Sequence, residues 1–222
     1  MRVDQAFDEM SSDYDERIRR YVPHYEQLVA CASNLPTDQV HQVLDLGSGS
    51  GAVIRSLLDQ KEDLVITAVD ASTDMIELLK GRFQTYQVLT HQVWLQDLAL
   101  SPGQFQLITA SMSIHHLVTS EKAELFSKLF HLLSLGGALQ ISDAIISKTD
   151  EDHQHFIDSW RSLVMDNGGT ETDWQDIMEH YDQYDRPDNR ETHERLLYKA
   201  GFHEVTPTFQ QGHWISLRAT RD

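Results

Sequence analysis

A chain of 222 residues with an apolar fraction of 40% has the size of one domain with a full central sheet and a small cap. A formal charge of −17, with basic residues clustered only at Arg17, Arg19 and Arg20, speaks against a broad nucleic-acid surface, although a locally contacted tRNA stays open. No apolar run nears the roughly 20 residues of a bilayer span, no secretory signal precedes the polar opening Met1-Arg-Val-Asp-Gln, and the lone Cys31 cannot close an internal disulfide, so a cytoplasmic location is expected.

Residues 6–34 read as helical, with Tyr14, Ile18 and Tyr21 on one side and a break near Pro23. From residue 42 to about 142, β-like apolar runs alternate with helical segments, the pattern of a parallel α/β sheet. The strands are expected over 43–46, 64–69, 88–95, 105–110 and 138–142, and the helices over 52–60, 72–86 and 120–134. Ser72 suits an N-cap of the second of these helices, Thr119 or Ser120 an N-cap of the third, and Gly136-Gly137 a stop. Residues 149–189 form an excursion rich in acids, Trp and Met, followed by a helix over 191–200 and strands over 203–209 and 213–219. The whole is expected to be one domain. An N-terminal helical lid (1–40) precedes a cofactor-binding core (41–148), then come a helical substrate cap (149–190) and a last helix with a hairpin (191–222).

The chemistry starts at Asp45-Leu-Gly47-Ser48-Gly49-Ser-Gly51, where the first strand runs into a helix. Glycines there supply positive φ and bare backbone, and the helix start offers free N–H groups to an anionic ligand. Asp70 ends the next strand, in position to accept from both hydroxyls of a ribose. Gly47-x-Gly49-x-x-Ala52 also satisfies the dinucleotide fingerprint, so an NAD-dependent oxidoreductase competes. Asp45 separates the two: a carboxylate repels a pyrophosphate but helps to hold the ammonium of S-adenosylmethionine.

Over most of its length the chain resembles the class I S-adenosylmethionine-dependent methyltransferases. The resemblance rests on 43–51, on Ala68-Val-Asp70-Ala71-Ser72, on Leu95-Gln-Asp97-Leu98, on 105–117 and on 135–143. It implies an α/β three-layer sandwich with a mostly parallel, seven-stranded Rossmann-like sheet whose last hairpin holds one antiparallel strand, under a helical lid. It also implies that Asp97 accepts from the adenine amino group, that Met75 and Leu98 sandwich the ring, and that Ala110, Ser111 and Met112 pass under the methionine portion. The ends are similar to the tRNA wobble-uridine carboxymethyl transferases, through Ala6-Phe-Asp-Glu, Tyr14-Asp, Arg19 and Val22-Pro-His-Tyr25, and through 191–202. Those enzymes use carboxy-S-adenosylmethionine and grip its added carboxylate with an arginine before the last helix. The comparable stretch 174–185 has no arginine and many acids, which points to ordinary S-adenosylmethionine.

A sulfonium methyl is already electrophilic, so the residues chiefly have to align a nucleophile and exclude water. His115 and His116, after the fourth strand, are the candidates for a base or an orienting group, His115 first; an ordinary polar pair is the plain alternative. Tyr14 and Arg19 could close over the cofactor, Arg19 pairing its carboxylate. Trp160, Trp174, Met165 and Met178 read either as an apolar acceptor pocket or as the cap's own core, the latter preferred. No metal is expected, because His153 and His155 diverge on a helix and no H-E-x-x-H or cysteine cluster occurs. The expected reaction is methyl transfer from S-adenosylmethionine, leaving S-adenosylhomocysteine, to a small-molecule N or O nucleophile. A tRNA-modifying enzyme, the oxidoreductase and a homodimeric assembly stay open.

Overall fold

Val43, Leu44 and Leu46 are wholly buried, as a central parallel strand covered on both faces should be. In a computed structural model, which describes residues 14–222, they belong to a seven-stranded sheet of order β3-β2-β1-β4-β5-β7-β6. The strands are β1 (Gln42–Leu46), β2 (Val65–Asp70), β3 (Gln87–Gln92), β4 (Phe105–Ser111), β5 (Leu133–Ala144), β6 (His203–Gln211) and β7 (Trp214–Thr220). The pairings from β3 through β5 are parallel, and β7 runs antiparallel to both neighbours. The expected sheet and its single antiparallel strand are therefore present. The expected segment Ala6-Phe-Asp-Glu lies outside the described residues.

Alternate residues of each strand feed two layers of helices. Val43, Ile66 and Leu107 pack with α2 (Tyr25–Ala32) and α3 (Ala52–Gln60) on one face. Leu44, Ile108 and Leu139 pack with α5 (Thr119–Leu132) and α8 (Arg190–Ala200) on the other. Between them in sequence, α4 (Thr73–Arg82) is capped by Ser72, whose hydroxyl accepts from the Met75 N–H at 3.1 Å. Two expectations at α5 fail. Its N-cap is Val118 rather than Thr119 or Ser120, because the Glu121 carboxylate reaches back to the Val118 N–H at 3.0 Å. Its stop is not Gly136-Gly137 either: the helix ends at Leu132, and both glycines lie inside β5. There Gly136, at φ 75, lets the strand bend and pair with Arg221, accepting no helix termination role.

The flanks build a cap over the carboxyl ends of the strands. In α1 (Tyr14–Tyr21), Tyr21 donates to Asp173 at 2.7 Å and accepts at its carbonyl from the Trp160 indole at 2.6 Å. Those bonds tie α1 to α6 (His153–Asp166) and α7 (Glu171–Tyr184). Trp160 sits among Trp174, Tyr181 and Trp214, with ring centroids 5.4–5.7 Å away, so the excursion's aromatics are chiefly its own core. The chain reverses from α1 into α2 at His24, φ 59, next to the expected break at Pro23. Among the described residues no helix is long and apolar enough to cross a membrane.

Candidate active site

The strand order reverses between β1 and β4, and in such sheets the crevice beyond that switch point is where ligands bind. The loop leaving β1 has Gly47 at φ 64 and Gly49 at φ 50. A Cβ on Gly47 would sit 2.4 Å from the Ser113 Cβ, so only glycine fits. The loop leaving β4 answers with Met112 in the left-handed region at φ 51, a conformation that ordinary side chains avoid. Its N–H is held by the Ser142 carbonyl at 2.8 Å, and the Ser113 hydroxyl donates to the Leu46 carbonyl at 2.9 Å.

Three cavities open from these loops. The first is lined by Gly47, Gly49, Asp70, Ala71, Met75 and Trp94 among others. Asp70 already orders its mouth, accepting from the Gly49 N–H at 2.8 Å and the Ser72 N–H at 2.9 Å. The second, of about 20 Å³, is lined by Asp45, Ser48, Ser111 and Tyr25 with the glycine loop. Asp45 is buried in its floor; Thr109 donates to Oδ1 at 2.6 Å, while the nearby Ser48 hydroxyl donates to the Asp45 carbonyl at 3.0 Å. Oδ2 is left without a hydrogen bond. Burial pushes this carboxyl up to about 6, opposed by the Thr109 and Ser48 hydroxyls and reinforced by the Asp70 charge. A cation arriving beside Oδ2 would satisfy it.

The third cavity, of about 220 Å³, lies under the cap and is lined by Arg17, Tyr21, Trp160, Asp176, His180 and Asp185 together with both histidines of the 115–116 turn. Tyr14 and Met112 line all three cavities. His115 Nδ1 lies 2.5 Å from Asp143 Oδ1, and its backbone N–H donates to Asp143 Oδ2 at 3.2 Å. From the cap, Asp185 Oδ1 approaches His116 Nδ1 at 3.1 Å, His180 Nε2 at 3.6 Å and His115 Nε2 at 3.7 Å. Asp185 is delivered by a strapped loop: the Arg186 N–H donates to the His115 carbonyl at 2.6 Å. The fully buried Lys122 ammonium adds bonds to the Arg186 carbonyl at 2.6 Å and to Asp188 at 2.8 Å. Burial alone would lower His115, but Asp143 and Asp185 outweigh it and push the ring up to about 9. Burial lowers His116, helped by the His115 charge, and holds His180 down to about 4. The two carboxylates stay below the usual range: burial raises them, but the neighbouring imidazoles prevail.

Most of the expected residues converge here, and four do not. Asp97, at the end of a 3-10 turn over Leu95–Asp97, is exposed and Leu98 packs into the core; Trp94, Leu95 and Gln96 line the first cavity. Arg19 points outward, donating to Glu26 at 2.7 Å and to the Asp15 carbonyl at 2.9 Å, and Arg17 borders the third cavity in its place. Gly51 begins α3 at φ 87, where a Cβ would meet Phe83 at 2.5 Å, so its role is packing rather than lining. The sequence reading missed Asp143, His180 and Asp185. Asp185 comes from 69 positions beyond His116 and has no local signature to set it apart from the other acids of the excursion.

Residues 43–137 match the family model of a methyltransferase domain. The carboxy-S-adenosyl-L-methionine synthase of Stutzerimonas stutzeri is 28% identical over 217 residues, covering 93% of this chain and 88% of its own. Human N-acetylserotonin methyltransferase, solved with S-adenosylmethionine, superposes with a TM-score of 0.67 at 16% identity over 98% of this chain, which spans 56% of that longer protein. A possible histamine N-methyltransferase from Thermotoga maritima gives 0.65 at 16% identity, with 97% and 98% covered. Both structural likenesses speak for the fold. The methyltransferase-domain match over 43–137 and the similarity across nearly the whole chain make this a methyltransferase-type enzyme whose cofactor is S-adenosylmethionine.

Proposed function

We propose that the protein transfers a methyl group to a small-molecule N or O nucleophile seated in the third cavity. One observation carries this: the three cavities meet at Tyr14 and Met112, where the end of a bound cofactor and an incoming acceptor would face each other. The residues suit S-adenosylmethionine on their own chemistry. Asp45, whose Oδ2 has no hydrogen bond, lines the small cavity and would take the ammonium, Asp70 would take the ribose hydroxyls, and Met75, Trp94 and Leu95 would flank the base. The same Asp45 disfavours a dinucleotide pyrophosphate. When bound, the cofactor supplies an electrophilic methyl group. The chain's part is to orient the acceptor and keep water out. Tyr14 and Met112 bound the meeting point, Trp160 and Ile177 give the acceptor an apolar wall, and Asp143 fixes the orientation of the His115 ring.

Carboxy-S-adenosylmethionine formation is the second reading. The name of the Stutzerimonas relative favours it, as does Arg17, a cation at the third cavity. Against it, Asp176 and Asp185 border the same space. Arg186, before α8, and Arg190, its first residue, are engaged elsewhere, with backbone carbonyls and with Glu194. Calorimetric titration with S-adenosylmethionine, S-adenosylhomocysteine, carboxy-S-adenosylmethionine and NADH separates the readings. Binding of the first two alone supports methyl transfer and leads to a mass-spectrometric acceptor screen. Preference for the carboxylated nucleoside moves the second reading, and the tRNA reading with it, to the front. Binding of NADH alone would overturn both.

A further inference from the structure

We infer that His115, His116 and Asp185 form a binding site for one divalent transition-metal ion in the wall of the acceptor cavity. One donor atom from each residue lies within 4.8 Å of the other two. The distances from Asp185 Oδ1, 3.1 Å to His116 Nδ1 and 3.7 Å to His115 Nε2, bracket the separation of neighbouring donors around a tetrahedral ion. With bonds of about 2.0–2.2 Å that separation is about 3.3–3.6 Å. The 3.7 Å gap is too long for a hydrogen bond, which prefers roughly 2.7–3.2 Å. It suits two ligands sharing one ion.

A second feature is independent of those distances. Asp143 binds His115 at Nδ1, which leaves Nε2 as the atom turned to Asp185. This is the carboxylate–histidine–metal relay by which proteins fix the tautomer and aim of a ligating imidazole. The Arg186 N–H and the buried Lys122 hold the backbone of Arg186, the residue after Asp185, in place without occupying the Asp185 Oδ1. His180 Nε2 lies 3.6 Å from the same oxygen. Two imidazoles and one carboxylate suit Zn²⁺, Co²⁺ or Fe²⁺ rather than Mg²⁺ or Ca²⁺, which prefer an all-oxygen shell. The ion would border the same cavity as Arg17 and Trp160, so an acceptor seated there could reach its open position. The ion site stands on its own geometry; its use by an acceptor rests on the methyl-transfer reading.

The test uses tag-free full-length protein, stripped with chelator and titrated with Co²⁺ while visible absorption is recorded, then with Zn²⁺ in competition. The expected result is one equivalent of Co²⁺ with the strong d–d bands of a four- or five-coordinate site, displaced by one equivalent of Zn²⁺. Asp185→Asn and His116→Gln should weaken binding at least a hundredfold, and Asp143→Asn by about ten- to hundredfold. The exposed His155→Ala should leave it unchanged. Near-ultraviolet circular dichroism and thermal melting of each variant separate loss of the site from loss of the fold. No stoichiometric uptake by the wild-type chain, or equal affinity in folded Asp185→Asn and His116→Gln, would overturn the proposal. S-adenosylmethionine affinity is measured in parallel: its absence would defeat the methyl-transfer reading while Co²⁺ uptake still upheld the ion site.

Discussion

The proposed cofactor side and acceptor side of this molecule are built by different means. Asp45, Gly47, Gly49 and Asp70 come from two adjacent strand ends, joined across 21 residues of chain by the Gly49 N–H to Asp70 and Val69 N–H to Ser48 bonds. The acceptor side draws Arg17 from α1, His115 and His116 from the end of β4, Asp143 from β5 and His180 and Asp185 from the cap, joined by tertiary contacts. The first is a local motif whose geometry follows from glycine stereochemistry and strand register. The second exists only when the cap has docked. Cofactor binding should therefore tolerate changes in the cap, whereas turnover should not.

The sharpest way to break that division is Asp70→Ala. Losing two charge-assisted ribose contacts, about 1.5–3 kcal/mol each, should weaken S-adenosylmethionine binding a hundredfold or more in calorimetry, with folding retained. Gly47→Ala should cost roughly 3 kcal/mol of stability in a denaturant melt, from the clash with Ser113 added to the left-handed φ. Asp185→Asn probes the other half: turnover should fall on the order of a hundredfold while S-adenosylmethionine affinity moves less than about twofold. A comparable loss of cofactor affinity would erase the distinction between the two sides.

Asp45 gives a subtler signature. Its carboxyl is protonated below about 6 and ionised above, and only the ionised form attracts an ammonium. S-adenosylmethionine affinity should rise about tenfold from pH 5 to pH 7. The sign reverses for the cofactor-free protein. A carboxyl whose folded-state value is raised stabilises the fold at low pH, and that contribution is lost as pH climbs through about 6. Melting curves with and without ligand should therefore diverge across this window, and Asp45→Asn should flatten both trends. The smallest effects belong to Arg19→Ala and Asp97→Ala. Both side chains are exposed and outside the cavities, so cofactor affinity should change less than about twofold.

The same contrast explains what could be read from the amino-acid order. Sheet, helices and glycine loop were legible because hydrophobic period, Ser72 capping and the spacing of Gly47 and Gly49 are local signals. Asp97, given its role by family position alone, ends a 3-10 turn as an exposed residue outside the cavity lining, which spacing could not foresee. Gly136-Gly137 misled because glycine marks a bend in a strand as readily as the end of a helix; the pairing with Arg221 decides between them. Arg19 and Arg17 differ by two positions on one helix, hence by opposite faces, and only the docked cap shows which face is inward. The meeting of His115 and His116 with Asp185 spans 69 to 70 positions, too far for any spacing rule to anticipate.

The fastening of α1 bears on the order of events in turnover. Besides its two bonds through Tyr21, this helix is pinned to the glycine-loop side by Asp15, which meets the Arg82 guanidinium at 2.7 Å while that side chain also donates to the Ser50 carbonyl at 2.9 Å. Tyr14 begins the same helix and borders all three cavities, so on the methyl-transfer reading cofactor and acceptor would both lie beside it. Under the methyl-transfer reading, an ordered sequence is expected in which the nucleoside loads before the acceptor and S-adenosylhomocysteine departs last. Steady-state inhibition by S-adenosylhomocysteine should then be competitive against S-adenosylmethionine and noncompetitive against the acceptor. Loosening this helix with Asp15→Ala should raise the rate of product release more than it alters the chemical step.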